Sequence, residues 1–270
     1  MERVITLMGM SGVGKTHLSL QLAEWGWYHY SCDPEIGCNI MQDEIIESVK
    51  RDVMAHHQLR AYVESGVLRI KNNITPENIS TLAAYLGKIG NPTQGRLGKQ
   101  SHGGMPLKEF KRRQQAYYEA ECKSLLNIKE RIKKAEEEGY SKFVNDSTGS
   151  LCEINEQEVL DYIGQNTEII YIKASTEEEE EVVRRSIEYP KPLFYPADKL
   201  DEWLEEYKRK ENVSSTDDIE PDDFSRWVFP RLFEERLPKY QEIADKYGRT
   251  ISSREIKDIN SEEDFLALLD

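Results

Sequence analysis

The stretch Gly9-Met10-Ser11-Gly12-Val13-Gly14-Lys15-Thr16, GMSGVGKT, decides how the chain is read. It matches G-x-x-x-x-G-K-[ST] at every fixed position, and that spacing has a physical purpose. Glycines let a backbone wrap around an anion so that successive N–H groups point inward. A helix starting near Lys15 aims its positive end at the same place. Lys15 then reaches β and γ phosphates, and the Thr16 hydroxyl is a ligand for Mg²⁺. The expected ATP-binding residues are Gly9, Met10, Ser11, Gly12, Val13, Gly14, Lys15, Thr16 and His17, with Lys15 also catalytic.

The flanks supply the context such a loop needs. Val4–Met8 is a short apolar run that reads as a buried strand. Leu18, Leu20, Leu22 and Trp25 give Thr16–Trp25 a helical apolar face, which Gly26 ends. Trp27–Ser31 reads as a second strand closing on Asp33. Residues 41–65 show helical spacing, Thr75-Pro76 caps a short helix, and Lys88–Gly104 is a glycine-rich polar loop. A charged helix is expected over Leu107–Glu138, a strand over Tyr140–Asn145, and a turn over Asp146–Ser150. A fourth strand, Thr167–Ile172, runs into the acidic helix TEEEEEVVRRSIEY. Pro190, Pro192 and Pro196 interrupt the chain, Asp198–Asp223 is strongly acidic, and a helix over Phe233–Tyr247 leads to a fifth strand, Arg249–Ser252.

Strands alternating with helices predict an α/β protein with a five-stranded, mainly parallel sheet covered by helices on both faces. In such a sheet the ligand sits at the carboxyl ends of the strands. The core is expected over residues 1–46, 105–194 and 231–270. A helical and loop insertion at 47–104 would form the acceptor side, and an acidic insertion at 195–230 would accompany a lid.

Composition narrows the partners. The 270 residues carry a formal net charge of −14, which disfavours non-specific binding to nucleic acid or an anionic membrane. No apolar run approaches the length of a membrane span, and the N-terminal apolar run is too short for a signal peptide. The four cysteines form no Cys-x-x-Cys pair, as expected of free thiols in a cytoplasmic protein. His29, Cys32 and Cys38 lack a fourth zinc ligand at a familiar spacing.

The cradle alone does not separate a kinase from a switch or an ATP-driven machine. Asp146-Ser147-Thr148-Gly149 fits the D-x-x-G of GTPase switches, yet the chain has no Asn/Thr-Lys-x-Asp for guanine. Phe143-Val144-Asn145-Asp146 is only weakly apolar and lacks the Asp-Glu ending of ring ATPases. Several segments resemble the shikimate kinase and gluconate kinase branch of the P-loop kinases. Asp33-Pro34-Glu35-Ile36 is similar to its D-x-D-x-E-I segment. Phe110-Lys111-Arg112-Arg113, followed by Glu119 and Glu121, resembles its F-R-x-x-E helix. Ser147-Thr148-Gly149 lies where the family has a glycine-rich turn. Lys191-Pro192-Leu193-Phe194 resembles R-P-L-L, and the helix from Glu235 to Ala244 resembles R-x-P-L-Y-x-E-x-A. The chain departs from the family at Ser31, where the family has an aspartate, and at Lys191, where the family has the lid arginine. The whole chain also resembles bacterial proteins described only as ATPases.

The resemblance implies an ATP-dependent kinase for a small metabolite, and the charge pattern suggests an anionic one. Asp33, at the carboxyl end of a strand expected next to the P-loop strand, suits the base, Arg184 and Arg185 the lid cations, and Thr16 and Asp146 the metal ligands. Arg112, Arg113, Arg236, Ser147, Thr148 and Gly149, with Asp33, are the expected acceptor-binding residues. From Gly87 to Gln115 there are seven basic residues and one acidic, whereas Pro196–Asp223 has eleven acidic and four basic. The basic segment is expected to close over the acceptor with Arg112 or Arg113 opposite Arg236. Its bland alternative is pairing with the acidic stretch. The second functional reading is an ATPase switch whose insertions bind a protein.

Overall fold

In the computed structural model, residues 1–71, 73–91 and 103–269 are described. Gly95, Arg96, Gly98 and Lys99 of the expected acceptor loop lie outside the described residues. Strands β1 (Arg3–Met8), β2 (Tyr28–Ser31), β3 (Lys142–Asp146), β4 (Glu168–Lys173) and β5 (Gly248–Ser252) form one sheet in the order β2-β3-β1-β4-β5. Every pairing is parallel, one step beyond the mainly parallel sheet expected.

Successive strand residues point to opposite faces. Ile5 to Met8 are all fully buried, and Ile169 to Ile172 nearly so, so helices must cover both faces of the sheet. The sheet gets its burial from near-continuous apolar runs, as parallel sheets require. It is an α/β fold built on one five-stranded, all-parallel sheet.

The helices follow in chain order. After β1 comes α1 (Lys15–Glu24), and after β2 come a short α2 (Cys32–Pro34) and a π-helical segment, Glu35–Ile40. Next come α3 (Gln42–Ala55), α4 (His57–Glu64), a 3₁₀ segment at Pro76–Thr81 and α5 (Leu82–Leu86). Then α6 (Leu107–Leu126) and α7 (Ile128–Glu137) precede β3, and α8 (Gln157–Asn166) precedes β4. Beyond β4 lie α9 (Thr176–Glu188), α10 (Ala197–Glu211) and α11 (Pro221–Tyr247), with α12 (Ser253–Lys257) and α13 (Glu262–Leu269) after β5.

Four features differ from the sequence reading. Strand β2 pairs with β3 and not with the loop-bearing β1, because β3 lies between them. The helix expected over 107–138 is two helices. At the break, the Asn127 side chain donates to Glu35 Oε1 at 3.1 Å, a contact from outside the helix. The acidic stretch hides α10, which buries Leu200, Trp203, Leu204 and Tyr207 at helical spacing with its acids outward. Asn212 ends it in the left-handed conformation, at φ 55°. Finally, α11 starts at Pro221, well before Phe233. Proline is tolerated at a first helical position, and Pro230 and Pro238 each remove one backbone donor without stopping the helix.

Two hydrophobic clusters result. The larger holds the sheet, α1, α8 and the C-terminal helices. The smaller gathers α10 and the first half of α11 around Trp203, Tyr207, Phe224 and Val228, with Phe110 and Ile89. Among the described residues, no helix is long and apolar enough to cross a membrane.

Candidate active site

Register brings the site together. Leu7 and Ser31 both stand beside Asp146, one in β1 and the other in β2. The carboxyl ends of three neighbouring strands are therefore level. From them emerge the glycine loop at Gly9, Asp33 just past β2, and Asp146 closing β3.

The loop is a tight cradle. Gly9 has φ 150°, and a Cβ there would fall 2.7 Å from the Ile172 carbonyl oxygen of β4. Only glycine fits a backbone pressed that closely against its neighbour. Gly14, at φ 99°, hands the chain to α1. Lys15 is buried, and its Nζ donates to Gly9 O at 2.8 Å and Met10 O at 3.1 Å, so the amine spans the loop. Burial lowers the Lys15 pKa, while the charges of Asp146, Asp33 and Cys152 act to raise it.

Thr16 Oγ1 donates to Asp146 Oδ2 at 2.8 Å. Asp146 is buried, and its other oxygen, Oδ1, has no hydrogen-bond partner. A buried carboxylate oxygen without a donor suits a cation beside the Thr16 hydroxyl. Burial raises the Asp146 pKa against the lowering effect of Lys15 and Thr16. Among the described residues there is no cluster of three or more His, Cys, Asp or Glu able to hold a metal. Two oxygen ligands match Mg²⁺, which keeps waters and takes the rest of its shell from phosphates.

Two cavities meet the loop. One, of about 560 Å³, lies outside Gly12, Val13 and Gly14 and is lined by His17 and Gln21 of α1, Arg185 of α9, and Ile256 and Ile259. Arg185 approaches the loop: its Nη2 lies 3.9 Å from where a Cβ on Gly12 would sit. Arg184 points elsewhere. It is exposed, pairs with Glu181 at 2.8 Å and Glu188 at 3.0 Å, and lines neither cavity.

The second cavity, of about 200 Å³, lies on the other side of Ser11. Its polar lining is Ser11, Asp33, Tyr117, Gly149, Ser150 and Arg236. Its apolar lining is Ile79 from the 3₁₀ segment, Leu82, Ala83 and Leu86 of α5, and Pro192, Leu193 and Phe194 from the proline-rich strap. Gly149 makes the two sides meet, since a Cβ there would lie 2.7 Å from Ser11 Oγ. The strap is pinned at its backbone: Gln114 Nε2 donates to Leu193 O at 3.1 Å, Gln114 Oε1 accepts from Tyr195 N at 2.9 Å, and Arg236 Nη2 donates to Phe194 O at 3.0 Å.

Asp33 opens onto this cavity but is surrounded by protein at longer range. Burial and the charge of Asp146 raise its pKa, and Lys15 lowers it. The other expected acceptor residues divide. Ser147 and Thr148 are buried beneath the cavity, where Ser147 Oγ donates to Leu7 O at 2.7 Å. Arg236 lines the cavity. Arg112 and Arg113 do not line it: Arg112 pairs with Glu109 at 2.8 Å and Glu44 at 2.7 Å, and Arg113 with Glu109 at 2.7 Å and Asp52 at 3.1 Å. The basic segment also meets the acidic one, through an ion pair of Lys88 with Asp222 and another of Lys111 with Asp201 at 2.6 Å.

Glu121 was named only as part of a resemblance, yet it is 1% exposed directly beneath the cavity. Ser150 Oγ donates to its two oxygens at 2.8 and 3.0 Å, and Thr148 Oγ1 donates to Oε1. Burial pushes its pKa up to about 7. The available signal was a lone acid in the buried stripe Phe110, Tyr117, Ala120, Ser124 and Leu125 of α6.

No family model matches the chain, and no curated protein does. Among solved structures, a gluconokinase from Sinorhizobium meliloti 1021 is similar over 91% of this chain and 95% of its own, at 16% identity and a TM-score of 0.30.

Proposed function

We propose that the chain is an ATP- and Mg²⁺-dependent kinase that phosphorylates a hydroxyl group of a small metabolite. One observation carries this reading: the phosphate cradle and a cavity holding Asp33 share a wall at Ser11. A nucleotide seated on the loop would put its γ-phosphate at the mouth of that cavity.

Phosphoryl transfer asks the protein for in-line placement, cations and a proton acceptor. The backbone of Gly12–Gly14 and the Lys15 amine hold the β and γ phosphates. The larger cavity, with His17, Ile256 and Ile259, takes the nucleoside. Arg185 adds positive charge from α9. Thr16 and Asp146 hold Mg²⁺, which when bound neutralises charge on the phosphates. Asp33 accepts the proton of the acceptor hydroxyl, a task that a raised pKa favours at neutral pH.

Lys15→Ala is the first test. Turnover of ATP should fall by orders of magnitude with the fold intact by circular dichroism. A screen of metabolite pools should then find an acceptor that stimulates ADP release by the wild type but not by the variant. ATP hydrolysis that ignores every small molecule and rises only with a macromolecule would replace the kinase reading with that of a switch.

A further inference from the structure

We infer that the acceptor is an uncharged alcohol with an apolar face, in place of the anionic metabolite expected from the charge pattern. This rests on the kinase reading. The charges at the smaller cavity do not favour an anion. Among the described residues, Asp33 and Arg236 are the charged groups that line it. Arg236 is already committed: Nε donates to Glu153 Oε1 at 2.8 Å, Nη2 to Phe194 O at 3.0 Å, and Nη1 faces Gly149 O at 3.5 Å. Glu153 is fully buried and is shared with Lys239 at 2.5 Å, so what withholds Arg236 from a ligand is that its donors are spent on protein oxygens. Below lies Glu121. Among the described residues, an anionic acceptor would stand beside the Asp33 carboxylate with no uncommitted cation lining the cavity opposite, a costly arrangement.

The remaining wall is apolar. Leu82 and Leu86 are 5% and 6% exposed, and Ala83 and Ile79 are half-buried with them. Leu193 and Phe194 close the opposite side on the strap pinned by Gln114. Ser11 and Gly149 meet at one end, where the reaction takes place. A ligand that matches this division carries its hydroxyl at one end and hydrocarbon at the other. At transfer, the acceptor oxygen bonds to the γ-phosphorus, the bond from that phosphorus to the β–γ bridging oxygen breaks, ADP leaves, and the hydroxyl proton passes to Asp33.

The test uses the full chain with Mg²⁺ and a non-hydrolysable ATP analogue, observed by ligand-detected NMR. Benzyl alcohol, 2-phenylethanol and cyclohexylmethanol are compared with the hydroxy acids mandelate and shikimate. The neutral probes should bind at least tenfold more tightly, and Ala83→Tyr, which fills the cavity, should weaken them at least tenfold without changing analogue affinity. If that variant loses its fold, Ala83→Val supplies the same comparison with a smaller loss. Tighter binding of the hydroxy acids, abolished by Arg236→Gln, overturns the inference. So does failure of the neutral probes to bind, or binding that ignores residue 83. Failure of the analogue itself to bind, seen by calorimetry on the same sample, overturns the kinase reading instead.

Discussion

The Thr16 hydroxyl donates to Asp146 Oδ2 at 2.8 Å, tying the first turn of α1 to the carboxyl end of β3. The bond fixes one Asp146 oxygen and leaves Oδ1 buried without a partner. Asp146→Asn keeps the shape and the acceptor for Thr16 but removes the charge. The Mg²⁺ concentration for half-maximal activity should rise at least tenfold, read from metal titrations at fixed ATP. An unchanged titration would remove Asp146 from the metal site.

Asp33→Asn separates proton acceptance from nucleotide binding. Acceptor-dependent ADP formation should fall roughly 10²–10⁴-fold, with nucleotide affinity by calorimetry unchanged. Equal rates in the two proteins would reduce Asp33 to a turn residue before Pro34.

The two arginines of α9 should behave differently despite being neighbours. Arg185 also pairs with Glu181, at 3.3 Å, but its guanidinium faces the glycine loop, whereas Arg184 is held away from it by Glu181 and Glu188. Arg185→Ala should lower kcat, and Arg184→Ala should leave both kcat and Tm where they were.

Gly149→Ala probes the wall between the cavities. The added Cβ would sit 2.7 Å from Ser11 Oγ and 3.4 Å from its backbone nitrogen. Overpacking of this kind costs about 1–3 kcal/mol, and here the strain falls on the loop. The KM for ATP should increase together with a lower Tm. A normal KM would mean that Ser11 simply rotates away.

Glu121 makes stability depend on pH. Its folded-state pKa is near 7 against an ordinary value of 4.5, because burial disfavours the charged form. Between those values the folded chain keeps a proton that the unfolded chain has released. Its contribution to stability is therefore full below pH 4.5 and is lost as pH rises to 7, by about 1.4 kcal/mol per pH unit at most. Glu121→Gln removes this dependence, so denaturant melts should show the variant gaining on the wild type from pH 4.5 to 7. Parallel curves would show that Glu121 is ionised throughout.

Much of the fold was legible because its signals are local. A glycine loop between an apolar strand and a helix needs no tertiary information, and short strand signals alternate with helix signals along the chain. Strand order was not legible. The chain gives no local sign that β3 would enter between β1 and β2, so Asp33 was placed beside the wrong strand. The helix α10 was hidden because its acids outnumber its four core residues. The proposed acceptor side was the least readable part. Arg112 and Arg113 look like ligands in sequence, but Glu44 and Asp52 arrive from α3, more than fifty residues earlier, to neutralise them. Glu121 and the wall at Leu82–Leu86 acquire meaning only when α5, α6 and the strap converge.

Helix α11 belongs to both hydrophobic clusters. Phe224, Val228 and Leu232 sit in the smaller one, Tyr240, Ile243 and Ala244 in the larger, and Arg236 stands between them at the cavity. A continuous rod rooted in two cores makes them a single cooperative unit. The α10 region therefore cannot melt by itself without loosening the ground on which Arg236 and the strap stand. In amide hydrogen exchange the two ends of α11 should open together, and loss of a distant residue such as Trp203 should be felt as a less ordered acceptor cavity.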